Sequence, residues 1–268
     1  HALTAQTYAW VTGAGGAGIT ANSTNGNNGV DSTWTDASPS VEFTAKGGGG
    51  GGAGGNDDGL AGGSAGGGSH SSTGGSANQT GQSGDSGTYG FGFDGGTGIS
   101  GPNYNTGGGG GAGSVGAPGI AANSGNGGTG KDYSAIFGTA VGDSGWFASG
   151  GGGGLTGEGT SVAGTASSGG GTAGGATDTN SAAATANTGG GSGGGGATYA
   201  DSGNGGSGII LVRYADGTFV SAGDDLTLQS TDTTASTANP DYADMVVLME
   251  NAEGTATLNT DIKGYISE

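Results

Sequence analysis

GGGGGGAGG (residues 47–55), GGGGGAG (107–113), GGGGG (150–154) and GGGSGGGG (189–196) decide how this chain is read. All but ten of its 74 glycines fall between residues 47 and 208. Glycine loses more backbone freedom on ordering than any other residue, and fixing each residue costs about 1–2 kcal/mol. The few large apolar side chains in this stretch cannot offset that cost, so an ordinary hydrophobic core is excluded. Two states remain: a flexible linker, or extended glycine segments packed side by side and joined through their backbones. The glycine runs are bounded by strand-like apolar ends, as in VEFTAKGGGGGGAGG (41–55) and GNGGSGIILVRY (203–214), which linkers rarely carry. Collagen is excluded, because the runs are uninterrupted and the chain has only four prolines.

The expected fold class is mainly β and irregular, a sandwich of glycine-rich polyproline-II-type helices flanked by short β-strands, with a β-rich C-terminal domain. Three regions follow: a β-rich segment at 1–46, the glycine domain at 47–214 closed by a buried strand at 209–214, and the C-terminal domain at 215–268. In the first, Tyr8, Trp10, Val11, Trp34, Val41 and Phe43 mark short strands, and NSTNGNNGVDST (22–33) carries Asn-Gly pairs suited to hairpin turns. Phe43 alternates with Glu42 and Thr44 in a half-buried strand that leads into the first glycine run. In the last, DMVVLME (244–250) and ATLNTDIKGYIS (256–267) flank a turn and suggest antiparallel neighbours. The start at His1 and the ending GYISE read as a piece of a longer polypeptide.

Four Lys and Arg stand against 22 Asp and Glu, a formal net charge of −18. Such a chain is repelled by phosphate backbones and anionic lipid, so neither nucleic-acid binding nor membrane insertion is expected. No apolar run reaches the roughly 18–20 residues that span a bilayer. The chain has no cysteine, which removes disulfides and thiolate metal sites.

No catalytic residue, metal site or cofactor is expected. The two histidines are His1 and His70, the latter among serines in GGSHSSTGG (67–75). Asp57, Asp58, Asp94, Asp132, Asp143 and Glu158 could pair for glycoside hydrolysis, but nothing in the pattern builds a cleft around them. GGTGKDYS (127–134) lacks the hydroxyl residue that follows the lysine of a phosphate loop. Asp57 and Asp58 lack the nonapeptide spacing of calcium-binding repeats and read as a solvated turn.

Two aromatic-rich segments interrupt the glycine, GTYGFGFDGGTGISGPNY (87–104) and KDYSAIFGTAVGDSGWF (131–147). Their side chains do not fit inside a glycine packing, so they form rim strands, caps or protruding loops. They read either as a small core covering the packing or as a receptor platform, since rigid aromatics give contact area at low entropic cost. The candidate receptor-binding residues are Tyr89, Phe91, Phe93, Tyr104, Tyr133, Trp146 and Phe147.

The succession of a strand into a glycine run, GGGGGAGSVGAPG (107–119), an aromatic element before ASGGGGG (148–154) and a closing GGSGIILVRY (205–214) resembles the glycine-rich domain of bacteriophage tail proteins and of some bacterial surface proteins. The likeness covers about residues 41–214. ADMVVLMENAEGTATLNTDIKGYIS (243–267) resembles β-rich repeats of virion structural proteins. The resemblance implies an extracellular, non-enzymatic virion appendage, a tail fibre or adhesin, that presents loops from a rigid glycine lattice. It also implies other tail proteins and a host surface glycan or outer-membrane protein as partners, and homo-oligomeric assembly with a trimer favoured. A bacterial surface or matrix protein that binds polysaccharide or self-assembles is the alternative. The β-rich segment after the glycine domain departs from a simple terminal tip and suits an internal module.

Overall fold

In the computed structural model of the chain, residues 7–20, 24–36, 42–55, 57–79, 91–101, 103–155, 161–176, 178–196 and 200–213 are described. Those between 7 and 211 fall in one compact unit. Among the described residues the single helix is one turn long, and the strands are short and antiparallel. The fold is therefore mainly β and irregular. The C-terminal region, including the strand pair expected at 244–267, lies outside the described residues.

β1 (Tyr8–Val11), β2 (Ser32–Asp36) and β3 (Glu42–Ala45) form a sheet in that order, with Trp10 opposite Trp34 and Trp34 opposite Phe43. Side chains alternate across a strand, so these three rings stand in one cross-strand row, joined by Tyr8 two residues before Trp10. Ring centroids lie 5.7 Å apart for Trp10 and Trp34, 5.7 Å for Trp34 and Phe43, and 5.8 Å for Tyr8 and Trp34. Contacts of this kind contribute about 0.5–1.5 kcal/mol each beyond the buried area.

β3 runs straight into residues 47–53, where side-chain packing stops and backbone bonding takes over. The N–H groups of Gly47, Gly50 and Ala53 donate to side-chain oxygens of Asp31 (2.9 Å), Asn28 (2.8 Å) and Asn25 (2.8 Å). The carbonyls of Gly48 and Gly51 accept from Gly29 and Gly26, both at 2.9 Å. Gly49 and Gly52 donate to the Ser64 and Gly67 carbonyls at 2.8 and 2.9 Å. Residues 47, 48, 50, 51 and 53 thus bond segment 25–31 while 49 and 52 turn to 64–67, and every third residue returns to the same neighbour.

This three-residue alternation recurs through the unit. Ser149, Gly152 and Leu155 donate to Gly169 (3.1 Å), Thr172 (3.0 Å) and Gly175 (3.1 Å), while Gly150 and Gly153 turn to Gly128 and Gly125, both at 2.9 Å. Neighbours run in either direction. The bonds from 49 to 64 and from 52 to 67 pair segments pointing the same way, whereas Leu60 and Gly63 donate to Gly50 and Gly47, both at 2.8 Å, in the opposite sense. Each bond contributes about 1 kcal/mol net, so their number is what holds the packing.

Glycine is required here by proximity. A Cβ on Gly66 would fall on the Gly50 carbonyl, and one on Gly150 on the Gly109 carbonyl. The buried hydrophobic side chains among the described residues are correspondingly small or few: Ala53, Ala65, Ala112, Val141, Phe147 and Leu155.

Four features differ from the sequence expectations. Glycine packing begins at Gly13 rather than at residue 47: Gly208, Gly205 and Ser202 donate to Gly13 (2.9 Å), Gly16 (2.9 Å) and Ile19 (3.0 Å). The Asn-Gly pairs at 25–26 and 28–29 are not hairpin turns, since none of these residues has a positive φ. They lie along a packed segment, where the Asn side chain bonds a neighbour and the glycine lets it come close. No strand is assigned at 209–213, and Ile209, Ile210 and Leu211 are half-buried. Ile209 and Leu211 border, with Trp34 and Phe43, a hollow of about 230 Å³. Finally, residues 91–98 keep their backbone inside the packing. The Phe93 carbonyl accepts the Ala65 N–H at 3.1 Å, and Gly95 and Gly98 donate to Gly75 (3.1 Å) and Ser72 (3.0 Å), while Phe93 and Asp94 are exposed and the Asp94 carboxylate accepts the Ala77 N–H at 2.6 Å.

Candidate functional site

Residues 131–147 build a cap of ordinary side-chain packing beside the glycine segments. β4 (Lys131–Asp132) pairs antiparallel with β5 (Trp146–Phe147), with Lys131 opposite Phe147 and Asp132 opposite Trp146. Between them lies α1 (Ser134–Phe137) and a turn that closes through Gly145 N–H to the Val141 carbonyl at 2.8 Å. Gly145 has φ 85°, a conformation that a Cβ would strain. The Asp132 carboxylate accepts the Ser134 N–H at 2.8 Å, and bonds from Ser134 hold its pKa below the usual carboxylate value. Asp143 ties the cap to the packing, its Oδ2 accepting the N–H of Gly169 at 2.9 Å and of Gly170 at 3.3 Å.

The rings gather around Tyr133. Its centroid is 6.5 Å from Phe91 and 6.4 Å from Phe147. The Lys131 ammonium sits 4.7 Å from the Phe91 ring centroid, within the reach of a cation–π contact. Val141 and Phe147 are buried, Tyr133, Phe91 and Trp146 half-buried, and Ile136 is 47% exposed. The cap thus has a two-residue core with an aromatic and cationic surface over it. It can offer an apolar face and one positive charge in a strongly acidic chain.

Of the seven candidate residues, Phe91, Tyr133 and Phe147 come together, and Trp146 adjoins Phe147 in β5. Phe93 is exposed on the segment that carries Phe91. Tyr104 pairs instead with His70, ring centroids 5.1 Å apart, and both have positive φ, 48° and 38°. Burial pushes the His70 pKa below its usual value. Tyr89 lies outside the described residues. Among the described residues no group of three His, Cys, Asp or Glu could hold a metal ion, and no helix is long and apolar enough to cross a membrane.

Sequence reading placed no site on the row formed by Tyr8, Trp10, Trp34 and Phe43. The signal was available in aromatics spaced by two along one strand, yet only the facing strand makes it a cluster.

These features define a class: a glycine-dense scaffold, bonded through its backbone, that carries one small aromatic cap. The chain belongs to the glycine-rich domain family, whose sequence profile matches residues 1–215. That match starts 40 residues before the resemblance read from the motifs, in keeping with packing that begins at Gly13. No curated protein and no solved structure matches the chain.

Proposed function

We propose that the described glycine segments between residues 13 and 208 form a lattice of polyproline-II-type helices, and that this lattice is the rigid scaffold of a phage tail fibre or related virion appendage. The observation that carries the reading is the three-residue alternation of backbone bonds. A polyproline-II helix has three residues per turn and no internal hydrogen bonds, so its N–H and C=O groups project in three directions toward neighbours. A solid bonded in this way is stiff without disulfides and suits an exposed fibre. In this reading the chain is a non-enzymatic, extracellular component that assembles as a homo-oligomer with other tail proteins. It presents the Phe91 and Tyr133 rings, seated over buried Phe147, to a host surface glycan or outer-membrane protein, and binds no nucleic acid. Its net charge of −18 supports the last point.

The test is saturable binding of the fluorescently labelled chain to a panel of Gram-negative cells. Tyr133→Ala is expected to weaken binding at least tenfold while leaving the circular-dichroism melt in place. A folded chain that binds no cell, with or without its surface glycan, removes the host-recognition part and leaves a scaffold.

A further inference from the structure

The chain has four Asn-Gly pairs, at Asn25, Asn28, Asn126 and Asn204. All four sit in the same arrangement. Each Asn Oδ1 accepts a backbone N–H from a neighbouring segment: from Ala53 at 2.8 Å, Gly50 at 2.8 Å, Thr165 at 2.9 Å and Gly18 at 2.6 Å respectively. The N–H of each following glycine points to another chain segment: Gly26 to Gly51 (2.9 Å), Gly29 to Gly48 (2.9 Å), Gly127 to Thr165 (2.8 Å) and Gly205 to Gly16 (2.9 Å).

Asn-Gly is the dipeptide most prone to deamidation, because the unhindered glycine nitrogen can reach the asparagine side chain. That nitrogen gives its proton to solvent base and bonds to the Asn Cγ, and the side-chain amide nitrogen leaves as ammonia. Water then opens the five-membered imide to aspartate or isoaspartate. In this fold the nucleophile is tied up, and the side-chain amide is locked in place, at every site. The nucleophile's N–H is bonded to a carbonyl of another segment, and the electrophilic amide is fixed by a donor from a neighbour.

We infer that Asn25, Asn28, Asn126 and Asn204 are latent modification sites, held unreactive by the glycine packing and released only when the segments around them open. Isoaspartate lengthens the main chain by one atom, which breaks the three-residue phase on which every bond to the neighbours depends. One conversion to isoaspartate therefore makes local opening permanent. Of the four glycines, Gly127 is the most deeply buried, so Asn126 is the slowest to react. The local openings that set these rates are the ones amide exchange reports.

The experiment incubates the full chain at pH 8.5 and 37 °C, folded or unfolded in guanidinium, and counts aspartate and isoaspartate at the four positions by peptide mass spectrometry. The expected result is a rate at least tenfold lower in the folded chain at all four sites, lowest at Asn126, with site order following exchange at Gly26, Gly29, Gly127 and Gly205. Folded rates within twofold of the unfolded ones, or a site order unrelated to exchange, overturn the inference.

Discussion

Residues 47–53 and residues 131–147 are both ordered, yet opposite forces order them. In the first, Ala53 carries the one side chain, and the N–H groups of 47, 49, 50, 52 and 53 and the carbonyls of 47, 48, 50 and 51 bond neighbouring segments. In the second, Phe147 and Val141 fill a small core, and backbone bonds pair β4 with β5 and close α1 and the turn. Removing a methyl group harms the cap, and adding one harms the packing. The comparison shows that burial alone does not say what a position tolerates. Gly66 and Phe147 are both buried, but one is defined by the atom it lacks and the other by the ring it carries.

The sharpest way to break this comparison is Gly66→Ala. Its Cβ would meet the Gly50 carbonyl, and backbone cannot swing aside as a side chain can. The expected loss is about 3 kcal/mol or more, the upper range of overpacking, read from denaturant unfolding. Gly48→Ala is the control, since its Cβ would find nothing nearer than the Ser64 carbonyl at 3.7 Å. It should leave stability unchanged or raise it by about 0.4–1 kcal/mol through the unfolded chain. Equal losses at both positions would mean that close approach is not what selects glycine.

Phe147→Ala comes next. Truncating a buried phenylalanine costs about 3–5 kcal/mol, and here the loss should stay local. Amide exchange is expected to quicken at Tyr133, Gly145 and Trp146 while Gly49 and Gly52 stay protected. Loss of protection at 49–52 as well would make cap and packing a single cooperative unit.

The smallest effect concerns acid. Burial alone would raise the Asp31 pKa, but the Gly47 N–H and the Lys46 ammonium, 2.9 Å away, outweigh it and hold the carboxyl below its usual 3.8. A depressed carboxyl pKa stabilises the fold above 3.8, and that share is lost as pH falls through the lower folded value. Melting temperature should therefore drop in this window, and less so in Asp31→Asn, which keeps an acceptor for Gly47.

Glycine density and strand-like run ends were enough to exclude an oily core and to anticipate a mainly β and irregular fold. The strands at Tyr8–Val11, Ser32–Asp36 and Glu42–Ala45 were legible from isolated aromatic and β-branched residues. The packing of residues 13–20 and 24–30 was not, because the six glycines there form no run longer than two. Asn25, Asn28 and Asp31 occupy the phase that faces 47–53, so polar side chains stand where carbonyls would otherwise be. Asn-Gly is read locally as a turn, and only the neighbouring segment shows that the dipeptide is a clamp. At the candidate site, the segments carrying Phe91 and Tyr133 could be named from sequence. Their meeting, 42 residues apart, depends on segment order that glycine runs do not encode.

The three-residue alternation also sets a rule for how such a chain can change in length. One residue inserted within 47–53 would turn all that follows by a third of a revolution, sending outward the positions that admit only hydrogen and inward those that bear side chains. Segments of this kind can grow or shrink only in triplets, while the connecting loops accept any number. Descendants of this chain are therefore free to diversify at their bends, and their straight stretches keep count.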